Sequence, residues 1–294
     1  MFKNAIIYTI ATMPDASLNV LESLEPARFA PCLPSQPESL GWTEPRGEAH
    51  GPLCEAINGH MMLVATKETK KVPAAVIAAK LVERVKAIED ATGRKPGKKE
   101  SRELKDEILF DLLPAAFPAR VAIKVWVDPV NKRVVIDTAS QAQADDACRL
   151  LVNSLPGLTL TMATDVQPGA TMKSWLSGAL SPASFGIETS CELKSTDESK
   201  TKVKYTHHNL DVPEIKDHLM AGMDVASLAL SWQNRISFAL TDTMVLKKLA
   251  FETPPPSDAG DMDSYDVDVF LLTTEMTLML DDLMFDLTDA PVAQ

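Results

Sequence analysis

Residues 73–117 read PAAVIAAKLVERVKAIEDATGRKPGKKESRELKDEILFDLLPAAF, and their periodicity decides the architecture of the chain. Ile77, Leu81, Val85 and Ile88 recur at steps of four, four and three, the spacing of one helical face, with Lys80, Arg84 and Lys86 on other faces. Pro73 suits a first helical turn and Gly93 a helix end. The basic loop from Gly93 to Lys99 leads into a second helix with Leu104, Ile108 and Leu112 on one stripe, stopped at Pro114. A helical hairpin with a cationic tip follows from this pattern.

Outward from the hairpin the period falls to two or the apolar runs shorten, which predicts strands. Residues 5–10 form a first strand, a Pro-rich loop holds Gly41-Trp42, and residues 61–66 follow the Asn58-Gly59 turn. Residues 120–128 and 133–137 read as a β-hairpin around Pro129-Val130-Asn131-Lys132. Residues 141–155 and 171–180 return to helix, while 225–232, 235–240 and 245–251 form a β-meander. In residues 201–209 a period of two places Lys202, Lys204, Thr206 and His208 on one face and Val203, Tyr205 and His207 on the other. Asp211 and Glu214 have capping-box spacing before a helix that Gly222 stops. Past Pro254-Pro255-Pro256, residues 267–273 read as a strand and 275–285 as an amphipathic helix. Trp175 and Trp232 fall in apolar patterns and are core. The fold class is α+β: antiparallel sheets with a projecting helical hairpin. Four regions are expected: 1–72 and 118–163 as two parts of a central unit, 73–117 as the tip, and 164–294 as a C-terminal α+β base ending in an acidic tail.

The net charge of −12 is unevenly placed. Residues 251–294 hold eleven acids and no Lys or Arg, whereas residues 67–105 hold twelve bases against six acids. Segments of opposite sign are more informative than the total. The helical tip offers Lys95, Lys98, Lys99 and Arg102 to a polyanion, and the later strand offers Lys202 and Lys204. Few aromatic residues lie among these bases, so contact with duplex phosphates fits better than stacking on unpaired bases.

Catalytic signatures are absent: Gly93 to Lys98 departs from the P-loop pattern in spacing and in the residue after the Lys, and no G-x-G-x-x-G, G-x-S-x-G or H-E-x-x-H occurs. His207 and His208 are adjacent, so on a strand they point to opposite faces and do not share a metal ion. No metal and no cofactor is expected. Cys32, Cys54, Cys148 and Cys191 form no C-x-x-C pair and read as reduced, buried residues. Apolar runs reach only about eight residues, short of a membrane span, and the N-terminal stretch lacks a signal-peptide pattern. A cytoplasmic protein is expected.

Several short motifs, each weak alone, then coincide in order and spacing. They are Phe2-Lys3-Asn4, Pro31-Cys32, Gly41-Trp42, Asn58-Gly59, the basic hairpin, Leu104-Lys105-Asp106-Glu107, residues 112–117, residues 228–238, and Leu246-Lys247-Lys248-Leu249. Together they resemble the recombination-associated RdgC proteins over nearly the whole chain. The resemblance implies a non-enzymatic, nucleoid-associated protein whose horseshoe-shaped subunits close into a homodimeric ring around double-stranded DNA without sequence preference. It further implies a role in recombination and at replication forks, limiting RecA filament assembly. By position, Phe117 matches an aromatic residue at one dimer contact, Ala115 stands where the family can have Arg, and His207 and His208 fall where it can place Lys and Gln facing DNA. A rival reading is a protein-interaction module whose basic hairpin docks on an acidic tail, with no physiological nucleic acid.

Overall fold

The short apolar runs on either side of the hairpin assemble, in a computed structural model, into a single sheet. Residues 1–14, 18–162, 166–197, 201–252 and 264–288 are described. The strands are β1 (Asn4–Thr12), β2 (Glu38–Thr43), β3 (Cys54–Ile57), β4 (His60–Lys70), β5 (Pro118–Asp128), β6 (Arg133–Ile136), β7 (Thr159–Met162), β8 (Phe185–Lys194), β9 (Lys202–Tyr205), β10 (Asp224–Trp232), β11 (Ile236–Thr241) and β12 (Val245–Phe251). Their order is β2-β4-β5-β6-β1-β12-β11-β10-β8-β9, with β3 also on β4 and β7 also on β1. Neighbouring strands run antiparallel, and the N-terminal strand joins the two halves: Ile6 pairs with Ile136 on one side and Val245 on the other.

Helices cover both faces. They are α1 (Val20–Leu24), α2 (Ala74–Thr92), α3 (Lys98–Leu112), α4 (Gln141–Ser154), α5 (Pro168–Ser177), α6 (Pro213–Met220) and α7 (Ser264–Thr288). On one face Ala144, Ala147 and Leu151 of α4 pack on Ile6, Val125, Val134 and Ile136. On the other, residues of α5, α6 and α7 pack with Ala5, Trp126, Val135 and the inner positions of β8 to β12. A strand covered on both faces reads as a continuous apolar run, and all four residues of β6 are buried. The tight approach behind Gly41-Trp42 is real: a Cβ on Gly41 would lie 2.5 Å from the Phe29 backbone, where the Phe29 N–H donates to the Trp42 carbonyl.

The hairpin and the meander lie where the periodicity puts them, and Trp175 and Trp232 are buried. Other expectations need correction. Residues 267–273 are not a strand: they belong to the 25-residue α7. Val267, Val269 and Leu271 imitate a period of two, but Val269, Leu272, Thr273, Met276, Met279, Leu280, Leu283, Asp286 and Leu287 are the buried set, which is a helical stripe. The later strand stops at Tyr205, and His207 has φ of 52°, so the two-residue period does not reach His207 and His208. Asp211 does not cap α6; Val212 occupies the cap position without a side-chain bond, and Asp211 pairs with Lys216 at 2.8 Å. Cys54 and Cys191 are buried free thiols, whereas Cys32 and Cys148 are half-buried.

The acidic end also differs from expectation in its described part. Asp266 pairs with Arg46, Glu275 with Arg235 and Asp281 with Arg133. Asp282 accepts the Trp232 indole N–H at 2.7 Å, and Asp286 accepts the Ala183 and Ser184 backbone N–H groups. These carboxylates fasten α7 across the sheet, because each meets a donor from β6, β10, or a loop beside β3, β8 or β11. The rest of the acidic stretch, 253–263 and 289–294, lies outside the described residues.

Candidate nucleic-acid interface

The hairpin leaves the sheet between β4 and β5, which pair over ten positions from Met61↔Val127 to Lys70↔Pro118. Beyond that ladder α2 has no buried residue and α3 has one, Ile108. Ile77, Leu81, Val85 and Ile88 are half-buried, on the helix that packs against α3. Gly93 closes α2 in the left-handed region, φ 70°, where a side chain would be strained.

Charge on this arm is polarised. Residues 94–102 carry five bases and one acid, whereas the remainder of residues 74–112 carries four bases and seven acids. The bases at positions 67 and 70 belong to β4, where Lys67 pairs with Asp146 and Lys70 donates to the Leu33 and Pro34 carbonyls. The arm is thus a cationic tip on an acidic stalk, a division that the total for residues 67–105 does not show. At the tip Lys95 lies 3.7 Å from Glu89 and Lys99 3.9 Å from Glu103, loose contacts on highly exposed side chains. Lys98 and Arg102 are exposed and make no ion pair among the described residues.

The second expected surface is elsewhere. Counting along the sheet, β5 is third and β9 tenth, about 34 Å apart at roughly 4.8 Å per strand in a flat sheet. Along the sheet, therefore, the strand that roots the hairpin and β9 are not neighbours. On β9 Lys202 pairs with Glu192 at 2.9 Å, while Lys204 is exposed without an ion pair among the described residues. His207 and His208 are exposed in the following loop; the His208 N–H donates to the Thr189 carbonyl and its ring lies 5.5 Å from the Tyr205 ring.

Phe117 follows the turn at Leu113–Ala115 and is 93% exposed, although Leu113 four residues earlier is buried. An aromatic ring held out on a rigid turn is costly to leave in water and suits an apolar contact with another surface. Among the described residues no three His, Cys, Asp or Glu side chains converge as a metal site, and no helix is long and apolar enough to cross a membrane.

A family profile described as "Putative exonuclease, RdgC" matches residues 1–289. The chain belongs to the RdgC family. Among its relatives, the recombination-associated protein RdgC of Herminiimonas arsenicoxydans is 37% identical over 292 residues, 96% of each chain. That of Janthinobacterium sp. (strain Marseille) is 35% identical over 96% of each chain, and that of Cupriavidus pinatubonensis 34% over 96% of each. The RdgC likeness covers both cationic surfaces, the Phe117 turn and α7 alike.

Signals in the sequence pointed to the tip and to β9, but not to how charge divides between tip and stalk. That division depends on which residues the helices place at the turn. A third group of lysines, at Lys3, Lys247 and Lys248, was also overlooked as a candidate surface. Its members are far apart in the chain and meet only through strand pairing.

Proposed function

We propose that this RdgC protein binds double-stranded DNA without sequence preference, through phosphate contacts, as a homodimer that surrounds the duplex. The observation that carries the reading is the cationic tip on its acidic stalk. An acidic stalk repels phosphate, so on the arm attraction is concentrated at Lys95, Lys98, Lys99 and Arg102, and a backbone contact of this kind carries no base information. The distance between the tip and Lys202, Lys204, His207 and His208 favours a partner that is itself long and regularly charged. Phe117, exposed and next to the root of the arm, supplies an apolar contact for a second copy, and closure of two copies would turn scattered cations into a lining. Held on DNA this way, the protein would sit in the nucleoid and limit RecA filament assembly by occupying the duplex.

The reading is of a binding protein, although the family description mentions an exonuclease. It draws support from five of the six acids of α7, Asp266, Glu275, Asp281, Asp282 and Asp286, which are engaged by Arg46, Arg235, Arg133, Trp232 and backbone N–H groups. Incubation with end-labelled duplex and Mg²⁺ or Mn²⁺ is expected to leave the label intact; progressive shortening would establish nuclease action instead.

Fluorescence anisotropy with random-sequence duplexes at several salt concentrations tests the binding itself. A linear log–log dependence is expected, and Lys98→Gln with Arg102→Gln should lower its slope by about 2, roughly 0.9 for each phosphate no longer neutralised. Lys202→Glu with Lys204→Glu should weaken all duplexes alike. Absence of duplex binding at low salt would return the lead to protein docking by the basic tip.

A further inference from the structure

The strand register gathers three lysines that the linear sequence keeps apart. Asn4 pairs with Lys247, and the Leu249 N–H donates to the Lys3 carbonyl at 2.9 Å, so Lys3 lies opposite Lys248 and Leu249. All three lysines are exposed and none makes an ion pair among the described residues. Like charges facing one another across a ladder are destabilising. The neighbouring Asp137 Oδ1 accepts the backbone N–H groups of Lys3 and Asn4 and forms no ion pair with any of the three ammonium groups.

The backbone is bent to produce this arrangement. Between Ser237↔Ala250 and Ala239↔Lys247 the register shifts, giving β12 one residue more than β11. Lys248 sits in that bulge with φ of 56°, a conformation uncommon outside glycine. As a result Lys247 and Lys248 are exposed in succession, where a regular strand would turn one of them inward. Strain of this sort beside clustered like charge is a pointer to a functional site, and the charge makes an anion the ligand that fits it.

The location is equally specific. Lys247 pairs with Ala239 and Ala239 with Ala229; Thr189 lies in the next strand's bulge and holds the His208 N–H. In the other direction the register sets Ile6 level with Val125 and so the β1 start level with Ile123, five residues along β5 from Pro118, where the hairpin is rooted. At roughly 4.8 Å per strand, Lys3 beside β1 is about 10 Å from β5 and about 24 Å from β9, and Lys247 and Lys248 on β12 are about 14 Å and about 19 Å from them, between the two surfaces already considered.

We infer that Lys3, Lys247 and Lys248 form a saddle that receives the phosphate backbone of the duplex between the hairpin root and the loop after β9. The inference rests on the duplex-binding reading and makes the contact continuous across one subunit. Anisotropy titration of the full chain with random duplex at several salt concentrations tests it, using Lys3→Gln with Lys247→Gln and Lys248→Gln, and the corresponding triple Lys→Arg variant. The Gln variant is expected to melt like the parent yet show a log–log salt slope smaller by about 2–3, at roughly 0.9 per neutralised phosphate, and the Arg variant to retain the parental slope. A parental slope in the Gln variant would overturn the saddle while leaving duplex binding in place. An Arg variant as weak as the Gln variant would also overturn it, by assigning the effect to strand geometry. No duplex binding by the parent protein would overturn both readings.

Discussion

At the scale of single residues, stability concentrates where buried charge is fully engaged. Asp128 is completely buried and accepts from Asn131 and from Arg133, which also reaches Asp281 of α7. Burial alone would raise the Asp128 carboxyl, but these hydrogen bonds outweigh it and hold the group below the usual carboxylate range. Asp128→Asn should cost about 3 kcal/mol in urea melts, the lower end for a broken buried pair, because Arg133 keeps Asp281. The pH dependence has a defined sign. Asp128 contributes stability above its ordinary value near 4, and that contribution is lost as pH falls through its depressed value. His60, 3.7 Å from Asp128, is shifted the other way in effect: burial lowers its pKa below the ordinary 6.5 despite the nearby carboxylate. Its protonation therefore opposes folding, and stability should begin to decline as pH drops through 6.5. His60→Gln should flatten the decline that begins as pH drops through 6.5 and leave the steeper loss at lower pH.

Elements differ in how much of the core they share. α7 contributes buried residues along its whole length, whereas α2 contributes none. Introducing Leu81→Asp should therefore melt the hairpin, seen as lost helical ellipticity and protease cleavage within residues 74–112, while the sheet retains its own transition. This contrast also explains what the sequence made legible. The hairpin was readable because its stripes pack on each other locally, and the meander because short turns join its strands. β2, β3, β7 and β8 were not: β2 lies in a Pro-rich stretch that only pairing with β4 makes extended, and β8 carries Gly186 and a run of exposed residues through its first half. The 267–273 stretch was misread because β-branched residues at alternate positions outweighed a helical burial stripe that becomes evident only against the sheet. Of the candidate site, the tip bases were visible as a local cluster. The Lys3, Lys247 and Lys248 group was invisible because its proximity exists only in the register.

For the whole molecule, the net charge of −12 is a poor guide to partners. Acids of α7 meet donors on the sheet and others crowd the stalk, while exposed bases without an ion pair among the described residues cluster at the tip, at the β1–β12 junction and on β9, with Lys71, Lys86, Lys105, Lys124 and Lys132 singly elsewhere. Self-association should follow the same logic. Because Phe117 is 93% exposed, Phe117→Ala should leave the thermal midpoint of the subunit nearly unchanged. Light scattering should nevertheless show a shift from dimer towards monomer, undiminished at high salt, since an apolar contact is not screened. A dimer that instead dissociates with salt in the parent protein would point to contact between charged surfaces.

The central position of β1 also constrains how the chain is made. Its partners are residues 133–136, 159–162 and 245–247, so the first strand synthesised completes its ladder last. At about 5–20 residues per second, Asn4 waits on the order of 12–50 s before Lys247 leaves the ribosome. Throughout that interval one side of the β1 start is an open edge, able to pair with another nascent chain. A ribosome-bound intermediate holding residues 1–162 should thus be prone to aggregation until the last strand of the meander arrives.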